Sequence, residues 1–348
     1  MPVFHLIEKR YRAMKLIGLL FGMEQSFPPA VVERINSMMR GDIRAEFVKI
    51  GGVRMDDIMK YDVILDRISQ DIPFYRSMLK VAALGGTRVI NNPFWWSADD
   101  KFFNYALMNK LGVPIPRTVL LPTKEHPPET TSQSMRNMTY PLPWDEVFEY
   151  VGFPAFLKPH DGGGWKNVYK VDSREEFFKA YDETGSICMT LQAAVNFQEY
   201  YRCYCIGKKY VHIMPYEPRN PHHLRYDAAF SLTPERKKQL EEYCLRICNA
   251  LSYDFNTIEF AVEDGVPYAI DYMNPAPDAE KGSVGDENFE WVVETTAKYL
   301  VECAEEGRVI PKEYAWSDFI AGVSPKKDTT KKSASKSSTA KSKRSVAG

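Results

Sequence analysis

Three consecutive glycines, Gly162–Gly164, separate an apolar run that closes on Lys158 ("FPAFLKPHDGGG") from an alternating segment ("WKNVYKV"). A triple glycine neither continues a helix nor packs as a strand interior, so its flanks read as two strands joined by a flexible turn. Backbone N–H groups in such a turn approach phosphate oxygens with no Cβ in the way, and a nearby lysine adds a point charge. In a P-loop the lysine follows the last glycine and a helix begins at once; here Lys158 precedes the glycines and a strand follows. The reading is a β-hairpin closing over phosphates, with Lys158 reaching in from its first strand. The same pattern also serves as a plain turn.

A second constellation lies about a hundred residues downstream. "NTIEFAVEDGVPYAIDYMNPAPD" (256–278) reads as a hairpin with Asp264-Gly265 at its turn. That turn sets Glu259 beside Asp271, with Asn274 just beyond. Two carboxylates and an amide oxygen are hard ligands suited to Mg²⁺, which binds nucleotide phosphates through one or two carboxylates. Ordinary solvated acids are the plainer reading, but both sit in apolar strand sequence, where unpaired carboxylates are uncommon.

Upstream, strand-like and helix-like segments alternate: 15–22, 45–52, 61–69 and 87–93 as strands, 26–39 and 71–86 as helices. This predicts a small parallel α/β domain over 1–95. The helix near residue 26 is expected to open on Ser26 and the one over 97–112 on Ser97, with Gly112 just past its end. Residues 122–143 are rich in Pro, Thr and Ser and read as a long loop of the kind that carries specificity. Helices follow at 143–152, 173–185, 233–252 and 286–307, with strands over 187–218. The expected units are 1–95, a lid unit 96–186, a third unit 187–320 and a tail 321–348.

Charge divides the chain unevenly. The formal net charge is −1, yet residues 324–348 hold eight Lys/Arg against one Asp, which leaves the remainder at −8. A mildly acidic body is not that of a dedicated nucleic-acid binder. The tail is expected to be disordered, touching nucleic acid or an acidic partner only by weak electrostatics. Six cysteines form no CxxC pair, and with no targeting segment they read as reduced thiols of a cytoplasmic protein. Cys203 and Cys205 are expected on one strand face, Cys244 and Cys248 on one helix face. No apolar run is long enough to span a bilayer, so no membrane partner is expected.

Taken together, the lysine-led helix before "GVPIPRT", the "FLKPHDGGG" turn, the hinge segment "MTLQAAV" and the acidic hairpin resemble, in this order, the ATP-grasp superfamily. The resemblance covers roughly residues 85–300. It implies an α/β (α+β) ATP-grasp fold behind an N-terminal parallel α/β domain. It assigns Lys101 and Lys158 to the phosphates and Gly162, Gly163 and Gly164 to the lid. Gln192, Ala193 and Val195 fall in the adenine-reading hinge, and Glu199 at the ribose hydroxyls. Glu259, Asp271 and Asn274 match the metal ligands. Arg202 ("YYRCYCIG") is similar to an arginine of the ribosomal-protein glutamate ligases. Arg225 matches an arginine that faces the γ-phosphate or acyl-phosphate, and Arg67 one that faces substrate. Two departures stand out: Gln192 where the hinge usually carries glutamate, and Asp271-x-x-Asn274 in place of Glu-x-Asn.

The resemblance implies ATP and Mg²⁺ as cofactors, with Mn²⁺ as an alternative metal. The implied activity is a carboxylate–amine ligase acting through an acyl-phosphate on small-molecule carboxylate and amine substrates or a peptide or protein acceptor. A small-molecule kinase and a nucleotide-binding scaffold without turnover are the rival readings. A homo-oligomer is left open.

Overall fold

The computed structural model describes residues 14–94, 100–161, 163, 165–221, 224–226 and 232–307. Ser97, Gly162, Gly164, His222, His223 and the basic tail lie outside the described residues.

Strands β1 (Lys15–Leu20), β2 (Ile43–Phe47), β3 (Val63–Asp66) and β4 (Arg88–Ile90) form one sheet in the order β2-β1-β3-β4. All its pairings are parallel, as strand–helix alternation predicts. Gly18 is required inside β1, since a Cβ there would lie 2.7 Å from Val48 and 2.8 Å from Tyr61. Helix α1 (Phe27–Ser37) buries Phe27, Val31 and Ile35 at intervals of four. Ser26 holds the N-cap position without capping: its Oγ accepts instead from the Lys281 amide at 2.9 Å. The helix start is met by the Glu280 carboxylate, which accepts from the amides of Gln25, Ser26 and Phe27 at 3.1–3.2 Å. Burial opposes its ionisation, but these amides hold Glu280 below the usual glutamate range. Helix α2 (Pro73–Gly85) ends at Gly86, in the left-handed region.

A second sheet, antiparallel, has the order β5-β8-β6-β7, from Thr118–Leu121, Met189–Ala193, Ala155–Pro159 and Tyr169–Val171. Helices α4 (Trp144–Val151) and α5 (Arg174–Asp182) cover one face, where Leu157, Phe148, Phe177 and Leu191 pack. Strand alternation turns Phe156, Lys158, Thr190 and Gln192 to the opposite face. The segment 189–193, placed by sequence in the third unit, thus pairs inside this sheet. The 122–143 loop is pinned to its outer side: the Tyr181 hydroxyl donates to Pro122 O at 2.6 Å and the Glu125 amide to Gly185 O at 2.9 Å.

The third sheet, also antiparallel, has the order β10-β9-β11-β12, from Tyr210–Pro215, Glu199–Ile206, Phe255–Glu263 and Val266–Asp271. Helix α3 (Lys101–Lys110) and α6 (Pro234–Leu251) pack on one face. There Cys203 and Cys205 of β9 meet Cys244 and Cys248 of α6, all four buried and unoxidised. After the short helix α7 (Lys281–Val284), α8 (Asp286–Glu306) packs between this sheet and the N-terminal one. One core therefore joins Leu19, Phe27 and Ile35 to Tyr204, Phe255 and Leu300, while the second sheet keeps a core of its own. Among the described residues no helix is long and apolar enough to cross a membrane.

Candidate active site

Between the second and third sheets lies a cleft of about 1100 Å³ of empty space, open to solvent. Its floor is set by β11 and β12, where register places Glu259 opposite Asp271. The pairing then skips a residue, because Phe260 faces Ala269 and leaves Ile270 as a bulge. Both carboxylates line the cleft. The Tyr200 hydroxyl donates to Glu259 Oε2 at 2.5 Å, and Arg202 Nε stands 3.8 Å from Oε1. Burial raises the Glu259 pKa above the usual range; Arg202 opposes this and Asp271 adds to it.

The roof carries the lysines. Lys158 Nζ donates to Gln192 Oε1 at 2.8 Å and stands 5.2 Å from the Tyr105 ring centre. Burial depresses its pKa to about 8, against the pull of Asp271. Lys101 is the first residue of α3, and its amide donates to His160 O at 2.8 Å. That bond ties the helix start to the end of β6 and brings both lysines to one wall. Asp100 caps α3 by accepting from the Phe103 amide at 2.9 Å. Gly163 and Trp165, from the turn after β6, also line the cleft.

The hinge between the two sheets spans 194–198. The Ala193 and Ala194 amides are spent on Arg117 O and Pro154 O. Those of Asn196 and Gln198 go to Glu263 Oε1 and Val262 O. No bond to the amides of Val195 and Phe197 forms among the described residues, and both residues line the cleft. Gln192 does not sit in the hinge. It is 2% exposed in β8, donating to Thr118 Oγ1 at 2.8 Å while it holds Lys158.

Glu199 turns away from the cleft. It accepts from the Tyr201 hydroxyl at 2.7 Å, with Arg236 of α6 at 3.6 Å. The reason is strand parity: Glu199 and Tyr201 share the α6 face of β9, and Tyr200 and Arg202 share the other. Tyr200 is therefore a residue at the cleft that sequence reasoning missed. The odd spacing between Glu199 and Arg202 was the signal, since residues three apart on a strand cannot share a face. Arg202 donates to the Tyr226 hydroxyl at 3.0 Å, and Arg225 to Tyr216 at 3.3 Å. Both guanidinium charges act on Glu259. Arg67 is removed from any open substrate position: its side chain is 1% exposed, paired with Glu24 and bonded to Pro277 O between the rings of Phe27 and Phe255.

No family model matches the chain, and no curated protein does. Solved structures do. The D-alanine–D-alanine ligase from Bacillus anthracis complexed with ATP superposes with a TM-score of 0.58 at 16% identity, over 84% of this chain and 98% of that one. The ATP-grasp ligase PsnB complexed with minimal precursor, Mg and ADP gives 0.55 at 14%, over 83% and 97%. A RimK domain ATP-grasp protein from Sphaerobacter thermophilus gives 0.56 at 15%, over 82% and 99%.

The chain has the ATP-grasp fold. In this ATP-grasp cleft the donor set fits a hard cation at one place. Glu259 and Asp271 face each other across a strand pair, and the Asp271 charge adds to the burial that disfavours ionisation of Glu259, which a cation between them would relieve. Asn274, the third expected ligand, is absent from the cleft lining. Its amide nitrogen donates to Thr257 O at 3.1 Å and its backbone N–H to Asn256 Oδ1 at 2.9 Å. Among the described residues no group of three His, Cys, Asp or Glu side chains could hold a metal.

Proposed function

We propose that this ATP-grasp protein is an ATP- and Mg²⁺-dependent carboxylate–amine ligase. The observation that carries it is the cleft itself: two lysines on the roof face a carboxylate pair on the floor, with an apolar slot at the hinge between them. Phosphoryl transfer asks the protein for alignment and charge neutralisation rather than a nucleophile, and among the described residues the cleft lining includes no Ser, Cys or Thr. Neighbouring folds include D-alanine–D-alanine ligase and PsnB with Mg and ADP, which favours amide formation.

Lys158, held by Gln192, and Lys101 would bind the polyphosphate, while the amides of Val195 and Phe197 read the base from the hinge. Mg²⁺ held by Glu259 and Asp271 would neutralise the phosphate oxygens. A substrate carboxylate oxygen attacks the γ-phosphorus, the bond to the β-phosphate oxygen breaks, and ADP leaves. An amine nitrogen then attacks the acyl carbon, phosphate departs with the bonding pair, and the amine proton is lost to solvent. Arg202 and Arg225 face the charge that develops at that end. Movement of the second sheet about 194–198 would exclude water from the acyl-phosphate. Small-molecule carboxylate and amine partners and a cytoplasmic setting belong to this reading; the six free cysteines support the latter.

The test is incubation with Mg²⁺-ATP and pooled carboxylates and amines, with hydroxylamine as trap. Pool-dependent release of ADP and phosphate with hydroxamate formation is expected. A phosphorylated product without hydroxamate identifies a kinase instead.

A further inference from the structure

A buried lysine that must meet a polyphosphate has two opposed needs. Its charge has to survive desolvation, yet a carboxylate partner would neutralise it before the nucleotide arrives. Lys158 stands in this position. Among the described residues its Nζ forms no ion pair and donates to a neutral group, Gln192 Oε1. The other contact of the ammonium is aromatic: the Tyr105 ring centre lies 5.2 Å from Nζ, within the range where a ring face attracts a cation.

Helix α3 delivers that ring. Lys101 and Tyr105 are four residues apart and share one helix face, and the bond from the Lys101 amide to His160 O docks the helix start against the end of β6. The ring is held in place: it is 3% exposed and meets Tyr272 edge-on at 5.9 Å, within the core against the third sheet. Burial keeps the Tyr105 hydroxyl well above its usual pKa, so the ring is neutral, and the hydroxyl end reaches the Gln192 side chain. Lys158 is thus faced by Tyr105 from α3, by Gln192 from β8 and by the charge of Asp271 from β12, while Lys101 acts on the Tyr105 phenol from one turn earlier. Asp271 favours the cation, but burial outweighs it. A π face supports the ammonium without spending its charge.

We propose, resting on the ligase reading above, that Tyr105 is a positioning residue for ATP. Its ring holds the Lys158 ammonium in the cleft and keeps it cationic until a phosphate arrives.

Full-length protein carrying ¹³C-labelled lysine is followed by proton–carbon NMR, with the Lys158 signals identified by their loss in Lys158→Gln. In the parent the Lys158 methylene protons nearest the ammonium are expected upfield of their positions in the urea-unfolded chain, the signature of a ring face. Their absence from that position overturns the inference without any variant. Tyr105→Phe is expected to keep the upfield shift and Tyr105→Leu to abolish it. In the leucine variant the Lys158 titration midpoint should fall by about one pH unit, as loss of a desolvated cation–π contact implies. Binding of a non-hydrolysable ATP analogue with Mg²⁺ is then read by calorimetry. It should be about tenfold weaker in Tyr105→Leu at pH 8.5, where the free lysine has lost its proton, and within about twofold of the parent at pH 6. Equal weakening at both pH values would make Tyr105 a support of the fold alone, and parental binding at both would give it no role. Either result overturns the inference and leaves the ligase reading standing. A parent that does not bind the analogue overturns the two together.

Discussion

Lys158 and Gln192 lie on neighbouring strands of the second sheet with their side chains on its cleft face, joined by a 2.8 Å bond from the ammonium to the amide oxygen. A second bond from Gln192 to Thr118 fixes which end of the amide points at the lysine. The lysine is thus aimed by a neutral partner that leaves its charge unspent. Hydrogen bonds to charged groups contribute about 1.5–3 kcal/mol, so Gln192→Ala is expected to weaken ATP roughly 10- to 100-fold by calorimetry. The folded protein should keep its circular dichroism spectrum. Gln192→Glu is expected to rescue orientation while partly neutralising the charge, giving an intermediate affinity.

The same lysine sets a pH dependence. Its pKa lies near 8 because burial disfavours the cation, and a bound triphosphate favours the cation. Binding should therefore take up a proton between pH 8 and pH 10, and affinity should be flat below pH 8. Above it, affinity should fall toward tenfold per unit as the free lysine deprotonates. Calorimetry at pH 8.5 in buffers of different ionisation enthalpy measures this uptake. An affinity that does not change from pH 7 to 9.5 would contradict it.

Strand parity makes a sharper contrast. Glu199→Ala is expected to leave ATP affinity within about twofold while costing about 1 kcal/mol of stability through the lost Tyr201 bond. Tyr200→Phe removes a donor from a buried carboxylate and should raise the Mg²⁺ concentration for half-maximal turnover about tenfold. If Glu199→Ala alone abolishes ATP binding, the assignment of faces on β9 is wrong.

Much of this site is legible in the chain because alternation is a local property. Lys158 sits at the polar end of an apolar alternating run, and Asp264-Gly265 forces Glu259 toward Asp271; neither needs a distant partner. Glu199 and Gln192 were misplaced for the complementary reason. Their roles depend on which strand face meets α6 and where β8 ends, which local pattern does not carry. Asn274 is a third case, because the bulge that strands it arises from pairing between β11 and β12. Ser26 shows the same limit at a helix start, where the acid that meets the α1 amides is Glu280, 254 residues from Ser26.

Arg67 tests the tertiary contribution directly. Its guanidinium is buried between Phe27 and Phe255, paired with Glu24 and bonded to Pro277 O, so it fastens the N-terminal sheet to the segment after Asn274. Arg67→Ala strands the Glu24 charge and empties the space between the rings, which together cost about 3–5 kcal/mol. Arg67→Met with Glu24→Gln fills the space and removes the charge, and should recover more than half of that loss in urea denaturation. An Arg67→Ala protein of parental stability that fails only in substrate turnover would return Arg67 to the substrate.

Trp165 gives the lid an optical reporter. It lines the cleft yet is 73% exposed, and its ring stands 6.4 Å from Phe156 in an edge contact on the cleft face of β6. A φ of +61° is uncommon for a bulky residue, and here the indole projects rather than packs. If the second sheet closes on a nucleotide, the indole exchanges water for the cleft wall and its emission shifts to shorter wavelength. Addition of the non-hydrolysable analogue with Mg²⁺ should produce that shift in the parent and remove most of it in Trp165→Phe. Affinity in the variant should fall by no more than about fivefold, the loss of one partly exposed aromatic contact of about 1 kcal/mol. A shift that survives in Trp165→Phe would place the moving indole elsewhere, and a parent that binds the analogue with no shift at all would mean that the hairpin does not close over it.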